Sequence, residues 1–442
     1  MKTSILSIIF GLTLFLPLVA FTQDITGTVK GNDGRTIPGV KVEIQETFFR
    51  TITNTEGEFE FTKLKPGEYL FNFSISGFEP LVKTVQMDEN DLEITIELKE
   101  DSRLMEEITV VSTRADSKTP TTHSDLSADE IEANNFGQDL PYLLSSLPST
   151  VVTSDAGAGV GYSGIRIRGV DPTRTNVTIN GIPYNDAESH GTFWVNMPDL
   201  ASSTSSIQVQ RGVGASTNGA GAFGATINVG TNSLRATPYA EVANSFGSFN
   251  SRKHTLNVGT GLLGRFAMDL RLSKIASDGY INRATSDLQS YYFSGGYYGD
   301  KTILKLNILG GKERTYQSWF GTPEAVAKED ADGINAYADR NFIFGAERDR
   351  LFGEGRQYNN YTYDSEVDNY QQDHYQLHLA QEVNDQLNFT AALHYTYGRG
   401  YFEQFRSGED FADYPTIFGQ NSLELNGETI ESTDLIRRRW LD

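Results

Sequence analysis

The amino-acid sequence predicts a mainly β protein in three parts: a small β-sandwich, a glycine-rich α+β segment, and an incomplete transmembrane antiparallel β-barrel. Short runs of alternating apolar and polar residues recur along the chain and are separated by turn residues. Tyr, Phe and Gly are abundant, with 21, 26 and 42 residues, a mixture that is typical of β-structure with many turns. In the last part, short turns alternate with long links, as in transmembrane barrels.

Composition excludes several classes of function. The chain has 58 acidic and 37 basic residues and a net charge of −21, so it lacks the basic surface that binds nucleic acid. It contains no Cys, which excludes disulfides, thiolate metal sites, Cys nucleophiles and an acylated lipoprotein anchor.

Residues 1–22 are predicted to be a signal peptide for export. Lys2 supplies a positive end, Ile5–Leu18 is a short apolar run, and small residues follow at Ala20 and Thr22. Cleavage is expected near Thr22. The alternative is an uncleaved anchor, but a membrane-spanning helix needs ~20 apolar residues.

Residues 23–99 are predicted to form the β-sandwich, because seven or so short strands recur about every ten residues. Val40–Ile44 and Leu92–Leu98 alternate with period two, and Asn54–Gly57 has the composition of a turn. The pattern of strands and turns resembles that of the carboxypeptidase-regulatory-like domain, a prealbumin-like sandwich. This resemblance implies an accessory module and not a peptidase. The matching stretches are Gly27–Val29, Ile37–Val40, Thr55–Phe59 and Leu64–Tyr69.

The linker 100–114 contains a lone strand-like segment. Five of its six positions from 108 to 113 are β-branched, and its flanks are polar, which suits strand addition by another protein. The alternative is an ordinary last strand of the sandwich. We call residues 106–113 the coupling segment; it consists of Glu106, Glu107, Ile108, Thr109, Val110, Val111, Ser112 and Thr113.

Residues 115–232 combine short helices, strands and many glycines. Ser127 and Glu130 form a capping box that begins a helix. The stretches Ile165–Gly169, Thr178–Asn185 and Val209–Val229 resemble, in order and spacing, the plug domain of TonB-dependent receptors of the Gram-negative outer membrane. The coupling segment then resembles the TonB box, which implies TonB as the energy-coupling partner. A soluble glycine-rich β-domain is the alternative.

Two G-x-G-x-x-G sequences, Gly219–Gly224 and Gly259–Gly264, are not interpreted as nucleotide sites. Such a site requires the motif to begin a helix after a strand. Both sequences here are followed by strand-like alternation.

Residues 233–442 are predicted to be barrel strands. Phe266–Ser273, Leu304–Ile308 and Phe389–Tyr397 alternate as transmembrane strands do, although a soluble β-sandwich would alternate as well. We expect seven strands, whereas plugged outer-membrane transporters have about 22. The sequence is therefore expected to be a fragment or a truncated gene product.

Candidate site residues fall in the α+β segment. The resemblance implies an outward-facing apical loop that binds ligand, and Arg166, Arg168 and Arg211 are expected to pair with acids on the barrel wall. The long link 312–373 is expected either to close over ligand or to be mobile. The ligand candidates are Tyr184, Asn185, Asp186, Glu188, His190, Phe193 and Trp194.

The resemblance implies an outer-membrane importer that is energised through TonB. The expected ligand is a metal chelate or another bulky molecule, first of all a ferric siderophore, with an oligosaccharide or a corrinoid as alternatives. A surface lipoprotein is a further candidate partner. A secreted β-rich adhesin is the alternative of another class. No catalytic constellation, cofactor or metal site is expected; His374 and His378 share a strand face and are interpreted as polar lining.

Overall fold

The computed structural model describes residues 23–31, 34–45, 47–75, 78–88, 90–99, 114–115, 119–213, 223–299, 301–384 and 387–441. The predicted signal peptide and the coupling segment lie outside these residues. The chain forms two compact units that divide between Ser102 and Arg103. No helix in the described ranges is long and apolar enough to cross a membrane.

The first unit is a β-sandwich, as predicted. Its inward positions are apolar and alternate with exposed polar residues, so two sheets close over one core. Edge-on aromatic contacts such as Phe59–Phe73, with ring centroids 5.6 Å apart, fill the space between the sheets. Sheet orders are β4-β1-β7 and β3-β2-β5-β6. The strands are β1 Gln23–Gly31, β2 Lys41–Ile44, β3 Arg50–Ile52, β4 Glu58–Leu64, β5 Gly67–Ser74, β6 Leu81–Met87 and β7 Leu92–Leu98.

The second unit begins with the plug, a five-stranded mixed sheet in the order β12-β11-β14-β13-β8 with a separate β9–β10 hairpin. The predicted capping box is present: the Ser127 and Glu130 side chains bond each other's backbone N–H and begin α1. Apolar side chains from both helices and all three central strands form one core. The elements are β8 His123–Ser127, α1 Ala128–Asn134, α2 Leu140–Leu143, β9 Thr150–Ser154, β10 Ser163–Ile167, β11 Thr175–Ile179, β12 Ile182–Pro183, β13 Thr204–Arg211 and β14 Ala225–Thr231.

Eight antiparallel strands, here called the wall sheet, follow the plug and neighbour one another in chain order. The prediction of seven strands was one too few; the last strand holds three consecutive arginines, which obscure its alternation. Among the described residues the sheet is open, since its first and last strands each have one neighbour. The strands are β15 Tyr239–Phe246, β16 Arg252–Gly259, β17 Phe266–Ser277, β18 Ser286–Tyr298, β19 Thr302–Tyr316, β20 Val367–Asn384, β21 Leu387–Asp410 and, after the hairpin β22 Leu423–Leu425 and β23 Glu428–Ile430, β24 Ser432–Leu441.

The two faces of the wall sheet have the opposite character to those of a soluble sandwich. On β17, Met268 and Leu272 are exposed, while Asp269, Arg271 and Ser273 are buried. The polar face contacts the plug, and the apolar face has no described protein against it. A sandwich buries its apolar face, so this inversion favours a barrel wall with lipid outside.

Connections at the two ends of the wall sheet differ, as the sequence predicted. At one end the links between β16 and β17 and between β18 and β19 are short. At the other end 278–285 and especially 317–366 are longer. The link 247–251 between β15 and β16 also lies at this second end and is short, so the two ends differ in their longest links and not in every link.

The predicted loop 312–373 is shorter than expected and is largely helical. β19 and β20 extend into it, and the remaining 317–366 form what we call the helical insert. Ile334, Ala338, Leu351 and Tyr358 are buried in a core of its own. The helices are α3 Glu324–Ala327, α4 Ala331–Arg340 and α5 Gly345–Gly353; α6 Pro415–Phe418 lies in the link between β21 and β22.

Candidate ligand cavity and plug–wall contacts

A cavity of about 520 Å³ lies between the plug and the long-link end of the wall sheet. This is within the usual size range of small-molecule sites, roughly 300–1,000 Å³. We call it the apical cavity. Its lining residues come from the plug, the helical insert and β19–β21 and β24. They are Asp155, Tyr162, Tyr184, Asp186, Glu188, Ser189, Gly191, Phe193, Asn196, Glu313, Trp319, Asp368, Tyr370, Gln372, Tyr401, Phe402 and Leu441.

A tight turn positions the plug side of the cavity. Asn180 and Gly181 both have positive φ, 55° and 77°, and join β11 to β12. An Asn-Gly pair is the preferred sequence for a two-residue hairpin turn, because both residues tolerate this conformation. The Asn180 amide also donates to Gln376 Oε1 on β20 at 3.0 Å, which anchors the turn to the wall.

The loop that follows is held by its own side chains. Asn185 Oδ1 accepts from the Val177 N–H at 2.7 Å, and its amide donates to the carbonyls of Thr175 and His190 at 2.9 Å. Asp186 Oδ1 accepts from the Ser189 N–H at 2.6 Å. Partial burial opposes ionisation of Asp186, but these donors outweigh it and lower the pKa of its carboxyl.

The seven ligand candidates from the sequence therefore divide into three groups. Tyr184, Asp186, Glu188 and Phe193 line the apical cavity. Asn185 and His190 shape the loop backbone. Trp194, 4% exposed, packs in the plug core, so its indole does not face the cavity.

Aromatic rings from three distant segments form one row along the cavity. The ring centroid of Trp319 lies 6.3 Å from that of Tyr162 and 6.4 Å from that of Phe402, both edge to face. Tyr184 donates to Gln372 Oε1 at 3.0 Å and lies 5.1 Å from the His374 ring. Sequence reasoning did not find this row, because no local motif links residues that far apart.

Carboxylates supply the polar part of the lining. Asp155, Asp186, Glu188, Glu313 and Asp368 contribute them, and the described lining contains no Lys or Arg. Glu313 and Asp368 are 2% and 6% exposed. Among the described residues, no group of three or more His, Asp or Glu side chains has an arrangement that would hold a metal ion.

A buried charged cluster joins the plug to the wall on the other side. Asp199 Oδ1 lies 2.7 Å from Lys253 Nζ, and its Oδ2 lies 3.4 Å from Arg271 Nη1. Thr255 and Ser273 each donate a hydroxyl to Asp199 Oδ2 at 2.7 Å. Burial alone would raise the pKa of Asp199, but the two cations outweigh it and lower it to about 2.

The three arginines predicted to pair with wall acids contact plug atoms in the described part of the chain. Arg166 lies 3.7 Å from Asp171, Arg168 donates to Thr122, and Arg211 donates to the Pro148 carbonyl. Their pairing with wall acids stays a prediction. In the ion pairs that the structure does show between plug and wall, the acid belongs to the plug and the bases to the wall.

Two family models match the chain. Residues 25–110 match the CarboxypepD_reg-like domain, and residues 115–226 match the TonB-dependent receptor plug domain. The second match covers four of the five strands of the plug sheet, the beginning of β14 and the loop that lines the apical cavity. The fold and this match identify residues 115–226 as a TonB-dependent receptor plug domain.

Individual relatives agree with this class. The chain is 26% identical to the TonB-dependent receptor SusC of Bacteroides thetaiotaomicron over 43% of its own length and 20% of that protein. The closed form of the ferric-catecholate import receptor Fiu from E. coli K12 superposes with a TM-score of 0.50 at 18% identity, over 74% of this chain and 43% of that one. The FpvAI–pyocin S2 complex gives 0.50 at 14% identity, over 66% and 36%.

The chain contains a TonB-dependent receptor plug domain and is similar to TonB-dependent receptors, and it spans less than half the length of these relatives. TonB-dependent receptors are outer-membrane proteins, and this similarity places the chain in the outer membrane.

Proposed function

We propose that the chain forms the plug and part of the wall of an importer that takes up a bulky ligand with energy delivered through TonB. The apical cavity carries this proposal, because plug and wall together line it. A ligand in this cavity contacts both the plug and the wall sheet that holds the plug.

The plug sheet offers a physical connection between ligand and coupling. The cavity loop begins at β12, on one edge of the five-stranded sheet, and β8 forms the other edge. The coupling segment precedes β8 in the chain by a few residues. Ligand contact at one edge and a pulling force at the other edge therefore act on the same hydrogen-bonded sheet.

The aromatic row supports a ligand with flat or ring-shaped faces. A ferric siderophore is the first candidate, and an oligosaccharide or a corrinoid is the alternative. Each offers surfaces that stack on Tyr162, Trp319 and Phe402.

A secreted adhesin is disfavoured by the wall sheet. Its outward face carries exposed Leu, Phe, Met and Tyr side chains on successive strands, including Met268, Leu272, Leu393 and Tyr395. Monomeric soluble proteins rarely expose an apolar surface of that extent.

Coupling is tested with single substitutions in the coupling segment. Val110→Pro removes a backbone N–H that strand addition needs, whereas Val110→Ala keeps it. We expect purified chain carrying Val110→Pro to lose affinity for the periplasmic domain of TonB about tenfold or more, and Val110→Ala to change it little. Binding is measured by calorimetry in detergent.

Equal affinity of both variants would contradict strand addition. A segment that binds through side chains alone would lose similar affinity with Val110→Pro and with Val110→Ala, since both remove the Val side chain. In cells that express the complete receptor, Val110→Pro should also abolish uptake while ligand binding at the surface persists.

A further inference from the structure

The acids of the apical cavity lack counter-charges. Neither Asp155 nor Glu313 nor Asp368 forms an ion pair with any described residue. Glu313 accepts from the Thr315 hydroxyl at 3.2 Å, and Asp368 accepts from the Gln317 amide at 3.4 Å. Both side chains are more than nine-tenths buried, and burying an ionised carboxylate is costly unless it is paired.

Three other buried acids of this unit are paired with bases: Asp199 has Lys253 and Arg271, Asp373 lies 3.0 Å from Arg399, and Glu403 lies 2.5 Å from Arg438. Asp139, Asp269 and Glu366 are also buried and form no ion pair with a described residue. The lack of an ion pair is therefore not confined to the cavity. The cavity differs because several such acids lie around one space that a ligand can enter.

Two arginines of β24, the strand that contributes Leu441 to the lining, are engaged by other groups. Arg438 is engaged by Glu403 and lies over the Tyr401 ring, 4.5 Å from its centroid. Arg437 donates to Gln404 Oε1 at 2.8 Å and lies 6.0 Å from the Phe402 centroid. Neither side chain lines the cavity.

A second feature of the cavity favours positive charge independently of the acids. The faces of Tyr162, Trp319 and Phe402 carry the negative part of the aromatic quadrupole, and a cation over such a face is stabilised. Trp319, the strongest such partner among the three, is 43% exposed at the centre of the row, so its ring is accessible.

We propose that the ligand of the apical cavity is a bulky organic cation, a ring-bearing molecule with at least one ammonium or similar positive group. This inference rests on the proposed function and names the ligand class of the same site. The cation supplies the counter-charge that Glu313 and Asp368 lack while its apolar body stacks on the aromatic row. An anionic chelate of the same shape finds no Lys or Arg in the described lining.

The effect of ligand charge on binding is separated from the effect of ligand shape with a matched series of probes. Ferrioxamine B is a ferric chelate with a pendant ammonium group; its N-acetyl derivative is neutral and its N-succinyl derivative is anionic. Protonated chitotriose and its neutral triacetyl form provide a second pair in the oligosaccharide class. Calorimetry of the 442-residue chain in detergent should rank cation above neutral and neutral above anion in at least one series, with steps of about tenfold.

Variants locate the effect in the cavity. Glu313→Gln and Asp368→Asn should each weaken the cationic probe about tenfold and leave the neutral probe unchanged. Asp364→Asn is the control, since that carboxylate is 88% exposed, lies outside the cavity and is only four residues from Asp368. The comparison of probes on the unmodified chain does not depend on how any variant folds.

A flat or reversed charge order in both series overturns the proposal, and so does the absence of binding by both cationic probes at millimolar concentration. Equal binding of charged and neutral probes would reject the ligand class alone. The importer proposal would then still stand on the Val110 variants, which do not involve the cavity.

Discussion

Replacing Asp199 by Asn tests how the plug is held in the wall sheet. The Asp199 carboxylate lies between Lys253 and Arg271, and the three side chains are 0%, 3% and 4% exposed. Asn has nearly the same shape and can still accept hydrogen bonds from Thr255 and Ser273. The substitution therefore removes the charge and leaves two buried cations beside each other.

The expected cost follows from counting charges. Breaking a buried ion pair by removing one partner typically costs about 3–5 kcal/mol, because the remaining charge is uncompensated. Lys253→Met has the opposite effect on the net charge of the cluster, since it leaves Asp199 and Arg271, whose charges cancel. We expect it to cost less, about 1.5–3 kcal/mol, the range of one hydrogen bond to a charged group.

Trp194 provides the assay, because it is buried in the plug core, 4% exposed. With Trp319 and Trp440 replaced by Phe, it is the only remaining tryptophan of the three in the sequence, and its emission follows unfolding of the plug in urea. An Asp199→Asn free energy of unfolding within about 1 kcal/mol of the parent would refute the reasoning. So would a larger loss for Lys253→Met than for Asp199→Asn.

Three further substitutions test separate features. Burial raises the pKa of Asp139 to about 8, so its neutral carboxyl stabilises the plug below about pH 4, and this contribution is lost as pH rises through 8. In urea unfolding, Asp139→Asn should flatten the decline of the unfolding free energy with rising pH that the parent shows, and an unchanged slope would contradict this. Leu270→Lys should cost roughly 2–4 kcal/mol in phospholipid vesicles if this exposed side chain faces lipid, and a cost below about 0.5 kcal/mol would mean that it faces water. A Cβ on Gly311 would lie 2.3 Å from the Asn196 carbonyl of the plug, whereas one on Gly310 would meet wall side chains. Gly311→Ala should therefore lower the protection of plug amides from hydrogen exchange, and Gly310→Ala should not. Equal protection in the two variants would argue against close packing at this point.

The features that sequence predicted correctly depend on neighbours in the chain. The Asn54–Gly57 turn follows from the turn-forming tendency of adjacent residues, and the Gly57 N–H donates to the Asn54 carbonyl at 3.0 Å. The capping box of Ser127 and Glu130 spans one helical turn. Alternation along β17 follows from the strand geometry itself, so each of these could be predicted from a few consecutive residues.

The features that sequence missed depend on contacts between distant segments. Asp199 has no local motif; its role appears only when β16 and β17 bring Lys253 and Arg271 to it. Trp194 was assigned to the cavity because it follows the apical loop, but a short 3-10 turn points it into the core. The helical insert was interpreted as a loop because its helices are short and mostly polar.

Which face of an alternating strand meets lipid also required the structure. Alternation is the same whether the apolar side faces a core or a membrane, so the sequence left the soluble sandwich open. Burial decides between them: Arg271 is 4% exposed while its neighbour Leu272 is 47% exposed. In water that arrangement would expose the apolar Leu272, which is stabilised by burial, and bury the charged Arg271, whose burial is costly. In a membrane the same arrangement places each side chain in its preferred surroundings.

The buried acids of the second unit divide by whether the protein supplies their partner. Asp199 is neutralised by the wall, so its attraction acts between plug and wall whether or not ligand is present. Glu313 and Asp368 have only neutral hydrogen-bond donors, so their attraction is available to whatever enters the cavity. A positively charged ligand would therefore add a bond between its own body and the wall without weakening the Asp199 cluster. On this reasoning we expect that ligand binding alone leaves the plug in place, and that the proposed pulling force on the coupling segment breaks the Asp199 contacts.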